Sequence, residues 1–189
     1  MIPLMRDTFI EEYKTKLALA EFILSSKKLS MGIKCFEFEK EFSIFQGRKD
    51  SILFNSGGSA NLALLQSLKN LGRLKNNSKI GFSALTWSTN VMPIIQLGME
   101  PIALDCDPKT LNVMSKNILD VIDNLNLDAI FLTNVLGFTG DLDNIQEICA
   151  ARNIILIEDN CEALGSVVSG KKSGNYGLAS TFSFFVAHH

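Results

Sequence analysis

Histidine is nearly absent from this 189-residue chain: the only two, His188 and His189, are its last residues. The four cysteines, Cys35, Cys106, Cys149 and Cys161, never fall in C-x-x-C spacing, so no zinc pattern can be written and no metal is expected. Four cysteines could close two disulfides, but each sits among apolar neighbours, and buried structural thiols are the expected state. No apolar run reaches the roughly 18 residues a membrane span needs. The start, MIPLMRDTF, lacks the basic-then-apolar build of a signal peptide. Neither sign of charge dominates: 18 Lys and Arg against 20 Asp and Glu leave a net charge of −2. Such a balance offers no basic field to nucleic acid or anionic lipid. Four prolines and 13 glycines are too few for a collagen-like or low-complexity chain, and a mean hydropathy of +0.19 excludes ordinary disorder. The expectation is a soluble, cytoplasmic globular protein that engages neither nucleic acid nor membrane.

Periodicity organises what remains. Thr8 and Glu11 form a capping box ahead of Phe9, Tyr13, Leu17, Ala20 and Leu24, which are spaced as on an amphipathic helix. LSMGIK (29–34) interrupts this, and a second helical stretch runs from Cys35 to about Phe45. Beyond GRKD the style changes to short β-rich apolar runs: SILFN (51–55), KIGFS (79–83), EPIALD (100–105), DAIFLTN (128–134), NIILIED (153–159) and STFSFF (180–185). Between them lie GGSANLALLQSLKNL, WSTNVMPIIQLG, SKNILDVIDNL and DLDNIQEICAA, with apolar residues three or four apart. Strands joined by helices of this length require crossovers, hence an α/β fold with a mainly parallel sheet flanked by helices. The near-continuous apolar character of ILF, IAL, AIFL and IILI predicts strands covered on both faces. Residues 1–50 read as an N-terminal helical segment and 51–189 as the α/β part.

Ligands of such sheets bind where the strands end. At NSGGSAN a strand runs into two glycines and a helix start near Ser59, where free N–H groups and the helix dipole favour phosphate; an ordinary glycine-rich turn is the alternative. IILIEDNCEALGS brings Glu158 and Asp159 to a strand end, with Glu162 three residues on. A carboxylate there can pair with a cationic ring nitrogen, bind a metal or act as a base; helix capping by Asp159 or Asn160 is the alternative, which the segment alone favours slightly. Trp87, the only tryptophan, can stack on a planar ligand or fill a core. The terminal His pair reads equally as a site or as the first residues of a purification tag.

Together, in order, IPLMRDTF, LSMG, NSGGSANL, ALTW, LDCDPKTLN, NVLGFTGD, EDNCEALGS and STFSFF-x-x-HH resemble the DegT/DnrJ/StrS-type sugar aminotransferases. These are vitamin B6-dependent enzymes of the aspartate-aminotransferase fold that act on nucleotide-linked keto-sugars. The likeness is strongest to the NDP-4-keto-6-deoxyhexose 3-dehydratases and covers essentially the whole chain. It implies that Gly57 and Gly58 hold the cofactor phosphate, that Ser183 adds a hydroxyl to it, and that Trp87 stacks on the pyridine ring. Asp159 matches the acid paired with the pyridinium nitrogen, and Glu162 a position that is usually Gln in the aminotransferases and acidic in the dehydratases, near the ring's reactive edge.

His188 separates the two activities. The aminotransferases resembled carry a lysine there that holds the cofactor as an imine, in a stretch like SFF-x-x-KN. Imidazole cannot form that imine, which implies pyridoxamine 5′-phosphate (or pyridoxal 5′-phosphate) held noncovalently, with His188 as acid and base. The position of VAHH within the resemblance also weakens the tag explanation. The function implied is removal of the carbon-3 hydroxyl of a nucleotide-linked 4-keto-6-deoxyhexose, in deoxysugar formation for surface polysaccharide. Two branches stay open: a GDP-sugar branch recycling the cofactor with glutamate, which Trp87 and the short lead before the first helix resemble more, and a CDP-sugar branch with an iron–sulfur cluster and a reductase. An ordinary nucleotide-sugar aminotransferase and a noncatalytic B6-fold binding or regulatory protein are the competing functions. The resemblance further implies a homodimer, and that these 189 residues are the N-terminal part of the large domain of a fold-type I enzyme whose small C-terminal domain lies elsewhere.

Overall fold

The computed structural model describes residue 9, residues 11–185 and residue 188. The chain divides into two compact units: residues 1–53 with 184–189, and residues 54–183.

The first unit is helical, with α1 at Glu12–Ser25 and α2 at Ile33–Gln46. Thr8 of the expected capping box lies outside the described residues. The apolar stripe of α1 does not form a core: no residue of α1 is buried, and Tyr13, Leu17 and Leu24 are exposed. α2 stops at Gly47, whose left-handed backbone (φ 78°) lets its N–H turn back to the Ser43 and Ile44 carbonyls. Phe38 and Phe42 each meet the ring of Phe184 edge-on, with centroids 4.9 and 5.2 Å apart. SILFN, expected as a strand, is none. The Ser51 hydroxyl donates to the Glu39 carbonyl (2.5 Å) and the Leu53 N–H to Glu39 Oε1 (2.8 Å), so the Leu53 N–H is taken by α2 rather than by a neighbouring strand.

The second unit is α/β. Its order is α3 (Gly57–Asn70), β1 (Lys79–Ser83), α4 (Ser88–Gln96), β2 (Glu100–Leu104), α5 (Ser115–Leu119), α6 (Ile122–Leu125), β3 (Ala129–Thr133), a 3-10 turn (Val135–Gly137), α7 (Leu142–Ala151), β4 (Ile155–Asp159), β5 (Val167–Val168), β6 (Lys171–Lys172) and β7 (Ala179–Thr181). Five strands form one sheet in the order β2-β1-β3-β4-β7, all parallel, while β5 and β6 make a separate antiparallel ribbon that the sequence reading missed. SKNILDVIDNL folds as two short helices rather than one, and STFSFF is strand only to Thr181.

Side-chain alternation along the strands sorts the core into two layers. On one face Leu65 and Leu68 of α3 and Ile94 of α4 cover Ile80, Ala129, Phe131 and Ile157. On the other, Ile118, Leu142 and Ile145 cover Ile130, Leu132 and Leu156. β3, in the centre, is buried along almost its whole length, as AIFL predicted. β2 departs from its expectation: as an edge strand it leaves Glu100 and Ala103 exposed. The cysteines are free thiols, Cys149 buried and the other three half-buried.

Candidate active site

The chain builds β2 on one side of β1, then crosses to lay β3 and β4 on the other. Such a reversal opens a crevice at the carboxyl ends of the strands. Thr86, just after β1, and Thr133, at the end of β3, span it with hydroxyls 2.6 Å apart, and Ser83 Oγ accepts the Thr133 N–H at 3.0 Å.

Asp159 closes β4 at that same edge. Its position in the strand turns its side chain to the α3/α4 face, like Ile157 two residues earlier. It is 4% exposed. Oδ2 accepts the carboxamides of Asn61 (3.2 Å) on α3 and Asn90 (2.8 Å) on α4, and Oδ1 accepts the Cys161 N–H at 2.9 Å. Among the described residues no lysine, arginine or histidine forms an ion pair with it. A buried carboxylate met only by neutral donors is poised for a cation from outside the protein. Two buried polar atoms nearby in the fold, Asn61 Oδ1 and Thr181 Oγ1, also have no partner among the described residues; Thr181 is the β7 residue in register with Asp159.

Trp87 is not a core residue. It precedes α4, is 58% exposed, and its carbonyl accepts the N–H of Asn90, so the indole-bearing residue is one turn from the amide that holds Asp159. Gly57 and Gly58 open α3, two residues earlier than expected, behind Ser56, whose hydroxyl caps the Ser59 N–H. Neither glycine has positive φ, and a Cβ would come no nearer than 3.6 Å to Cys161 Sγ at Gly57 or 3.5 Å to Thr89 Cγ2 at Gly58. The fold itself therefore does not demand glycine here; the missing side chains leave the helix start open to close approach. First-turn N–H groups have no acceptor inside the helix, and no acid occupies this turn, so the positive end of α3 is uncompensated by its own sequence.

Cys161 lies between these parts. Its thiol is pushed well above the ordinary range, first by burial and then by the charge of Asp159 and a hydrogen bond to it, so it stays protonated. Glu162 is half-buried and turned to the loop after β3, where its Oε2 accepts the N–H of Leu136 (3.0 Å), a residue in the left-handed region (φ 54°) followed by Gly137 (φ 80°). Ser183, half-buried, follows β7 at the end of this unit. Gly57, Gly58, Trp87, Asp159, Glu162 and Ser183 thus share the second unit. His188 belongs to the first, where its N–H donates to the Phe185 carbonyl (2.9 Å) and the two rings meet edge-on at 5.2 Å. His189 lies outside the described residues.

Asn61 and Asn90 escaped the sequence reading. Their signal was position: Asn61 shares a stripe with Leu65 and Leu68, and Asn90 with Pro93 and Ile94, so each is an amide on a buried helix face. Glu158 has a structural use instead. Fully buried, it accepts the N–H groups of Gly174, Tyr176 and Gly177 at 2.7–2.9 Å. Among the described residues no cluster of three His, Cys, Asp or Glu could hold a metal, and no helix is long and apolar enough to cross a membrane.

Comparison with known proteins gives concordant matches. The sequence model of the DegT/DnrJ/EryC1/StrS aminotransferase family matches residues 11–189. A GDP-4-keto-6-deoxy-D-mannose 3-dehydratase from Yersinia pseudotuberculosis is 34% identical, over 99% of this chain and 47% of its own length. Among solved structures, a histidine-to-asparagine mutant of a GDP-4-keto-6-deoxymannose-3-dehydratase with bound GDP-perosamine superposes with a TM-score of 0.89 at 33% identity, over 98% of this chain and 48% of that one. A GDP-4-keto-6-deoxymannose-3-dehydratase with a trapped PLP-glutamate geminal diamine gives a TM-score of 0.88 at 33% identity, over the same shares. The chain spans about half the length of the relatives it matches.

Proposed function

The chain belongs to the DegT/DnrJ/EryC1/StrS aminotransferase family, and on that premise we propose that the protein is a B6-dependent 3-dehydratase of a GDP-linked 4-keto-6-deoxyhexose. Relatives bearing that name support the substrate class, and the PLP-glutamate adduct in one of them supports glutamate as the amino donor. The whole reaction then consumes the keto-sugar and glutamate and yields the 3-deoxy sugar, 2-oxoglutarate and ammonia, which balances. The complete enzyme works as a homodimer in deoxysugar formation for surface polysaccharide.

One observation carries the cofactor assignment: Asp159 is a buried carboxylate with neutral donors only, at the carboxyl edge of a parallel sheet. The residues present fit pyridoxamine or pyridoxal 5′-phosphate, which supplies an amine or aldehyde and a conjugated ring that accepts electron density. Asp159 holds a proton on the ring nitrogen. Gly57 and Gly58 present the start of α3 to the phosphate, where N–H groups and dipole favour the anion, and Ser183 adds a hydroxyl. Trp87 covers one face of the ring. Glu162 braces the backbone at Leu136, on the loop that follows β3. The His188 imidazole takes and returns a proton through a ring nitrogen. Lysine at that position would tie up the cofactor covalently; histidine leaves it free.

The test is to incubate the full-length protein with the cofactor, glutamate and the GDP-4-keto-6-deoxyhexose and follow sugar products by mass spectrometry. A product lacking one oxygen, lost in a His188→Lys variant, is expected. A GDP-amino sugar would make the protein an aminotransferase, and ligand binding without turnover would make it a noncatalytic member.

A further inference from the structure

We infer that Asn61 and Asn90 are positioning residues that lock the Asp159 carboxylate in the orientation needed to hold a protonated ring nitrogen; this rests on the reading of Asp159 given above. The two carboxamides come from different helices, yet both converge on one oxygen, Oδ2, at 3.2 and 2.8 Å. The backbone N–H of Cys161 takes Oδ1 at 2.9 Å. A carboxylate tethered only through its own turn can still rotate about its side-chain bonds. Donors from α3 and α4 on the same oxygen remove that freedom, and Asn61 couples the helices further by donating to the Thr89 carbonyl (3.1 Å).

The choice of amide is informative. Asn61 and Asn90 are 0% and 1% exposed, on helix faces otherwise given to leucine, isoleucine and proline. Burying carboxamides there is costly unless their hydrogen bonds serve a purpose the apolar residue could not. A lysine or arginine would hold the carboxylate equally well but would cancel its charge and leave nothing to attract a ring cation. Neutral donors hold it and leave the charge in place. Cys161, the other group against Asp159, is likewise neutral because burial keeps its thiol protonated.

Two ligands separate this role from general damage to the fold: pyridoxamine 5′-phosphate, and its analogue with the ring nitrogen replaced by C–H. Both keep the phosphate and the ring face, and only the first can pair with Asp159. Titration calorimetry on the full-length protein is expected to show the nitrogen compound bound at least about tenfold tighter, in the range of a charge-assisted hydrogen bond. Asn90→Ala and Asn61→Ala should each lose most of that preference while binding the carbon analogue as the parent protein does. Asn90→Ser replaces Asn90→Ala if the latter does not fold. If the parent protein binds both compounds equally, the pairing at Asp159 is wrong and the proposed function loses its main support. If the parent discriminates and the amide variants keep the full preference, or weaken both ligands alike, the positioning role is overturned while the Asp159 reading stands.

Discussion

Glu158 and Asp159 are adjacent in β4, yet their carboxylates answer to opposite faces of the sheet. Glu158 is met by the backbone of the 174–177 loop, Asp159 by amides of α3 and α4. A strand places neighbours on opposite sides, so one acid holds a loop of the fold while the other meets the helices of the candidate site.

Isosteric amides should expose this division. Glu158→Gln puts an NH2 group against backbone donors and should cost about 3 kcal/mol or more in urea unfolding. Asp159→Asn should cost less stability but lower kcat/KM by at least about 100-fold, by loss of a group that holds a proton. Equal stability losses in both would contradict the assignment.

At the start of α3, Gly58→Ala adds a methyl that meets Thr89 and the Ser56 hydroxyl at ordinary contact distance. Apo stability should hold or rise by up to about 1 kcal/mol, the usual helix gain over glycine. Inorganic phosphate and cofactor should both bind more weakly to the variant, as dialysis against labelled ligand can measure.

Trp87 is the only tryptophan and is largely exposed. Its emission should be red-shifted in the apo-protein and quenched on cofactor addition. Trp87→Ala should change apo stability by less than about 0.5 kcal/mol, as surface truncations do, and lower cofactor affinity. An unresponsive emission would remove the indole from the site.

Asp141 links α5 to α7. Burial works to raise its carboxyl, but hydrogen bonds from the Ser115 hydroxyl, Asn144 and the Ser115 N–H outweigh that and hold it below the ordinary range. A depressed carboxyl stabilises above its unfolded value, and that contribution disappears as pH falls through the folded one. Asp141→Ala should therefore destabilise the protein at pH 7, and the gap between variant and parent should narrow in urea titrations as pH falls below the ordinary carboxylate range.

Cys149 responds at the other end of the scale. Burial pushes its thiol up to about 12 from an unfolded value of 9.0. Below pH 9 both states hold the proton; above it only the native state does, so stability falls as pH rises toward 12. Between pH 8 and pH 10 the parent should lose about 1 kcal/mol more than Cys149→Ala. Identical losses would place the thiol in contact with water.

The fold was legible wherever burial and pattern agreed. KIGFS, AIFL and IILI are strands because both faces of the sheet are covered at those points. SILFN carried the same apolar signal, but Glu39 on the preceding helix holds the Ser51 hydroxyl and the Leu53 N–H. STFSFF stopped early because Phe184 joins Phe38 and Phe42 instead of a ladder. For the candidate site, Asp159 and the glycine turn were readable as motifs. The Asn61 and Asn90 contacts were not, since they depend on which helix faces which end of β4.

The hydrogen bond from Asn61 to Asp159 joins residues 98 apart in sequence, and that from Asn90 spans 69. Both amides leave the ribosome well before the acid they serve, and contacts of such separation form late because the intervening loop must close first. In the nascent chain, α3 and α4 therefore present these two carboxamides without their acid until β4 slots in beside β3. The charged centre of the site is assembled by the last of its three members to be made, and a chain released before residue 159 has no such centre at all.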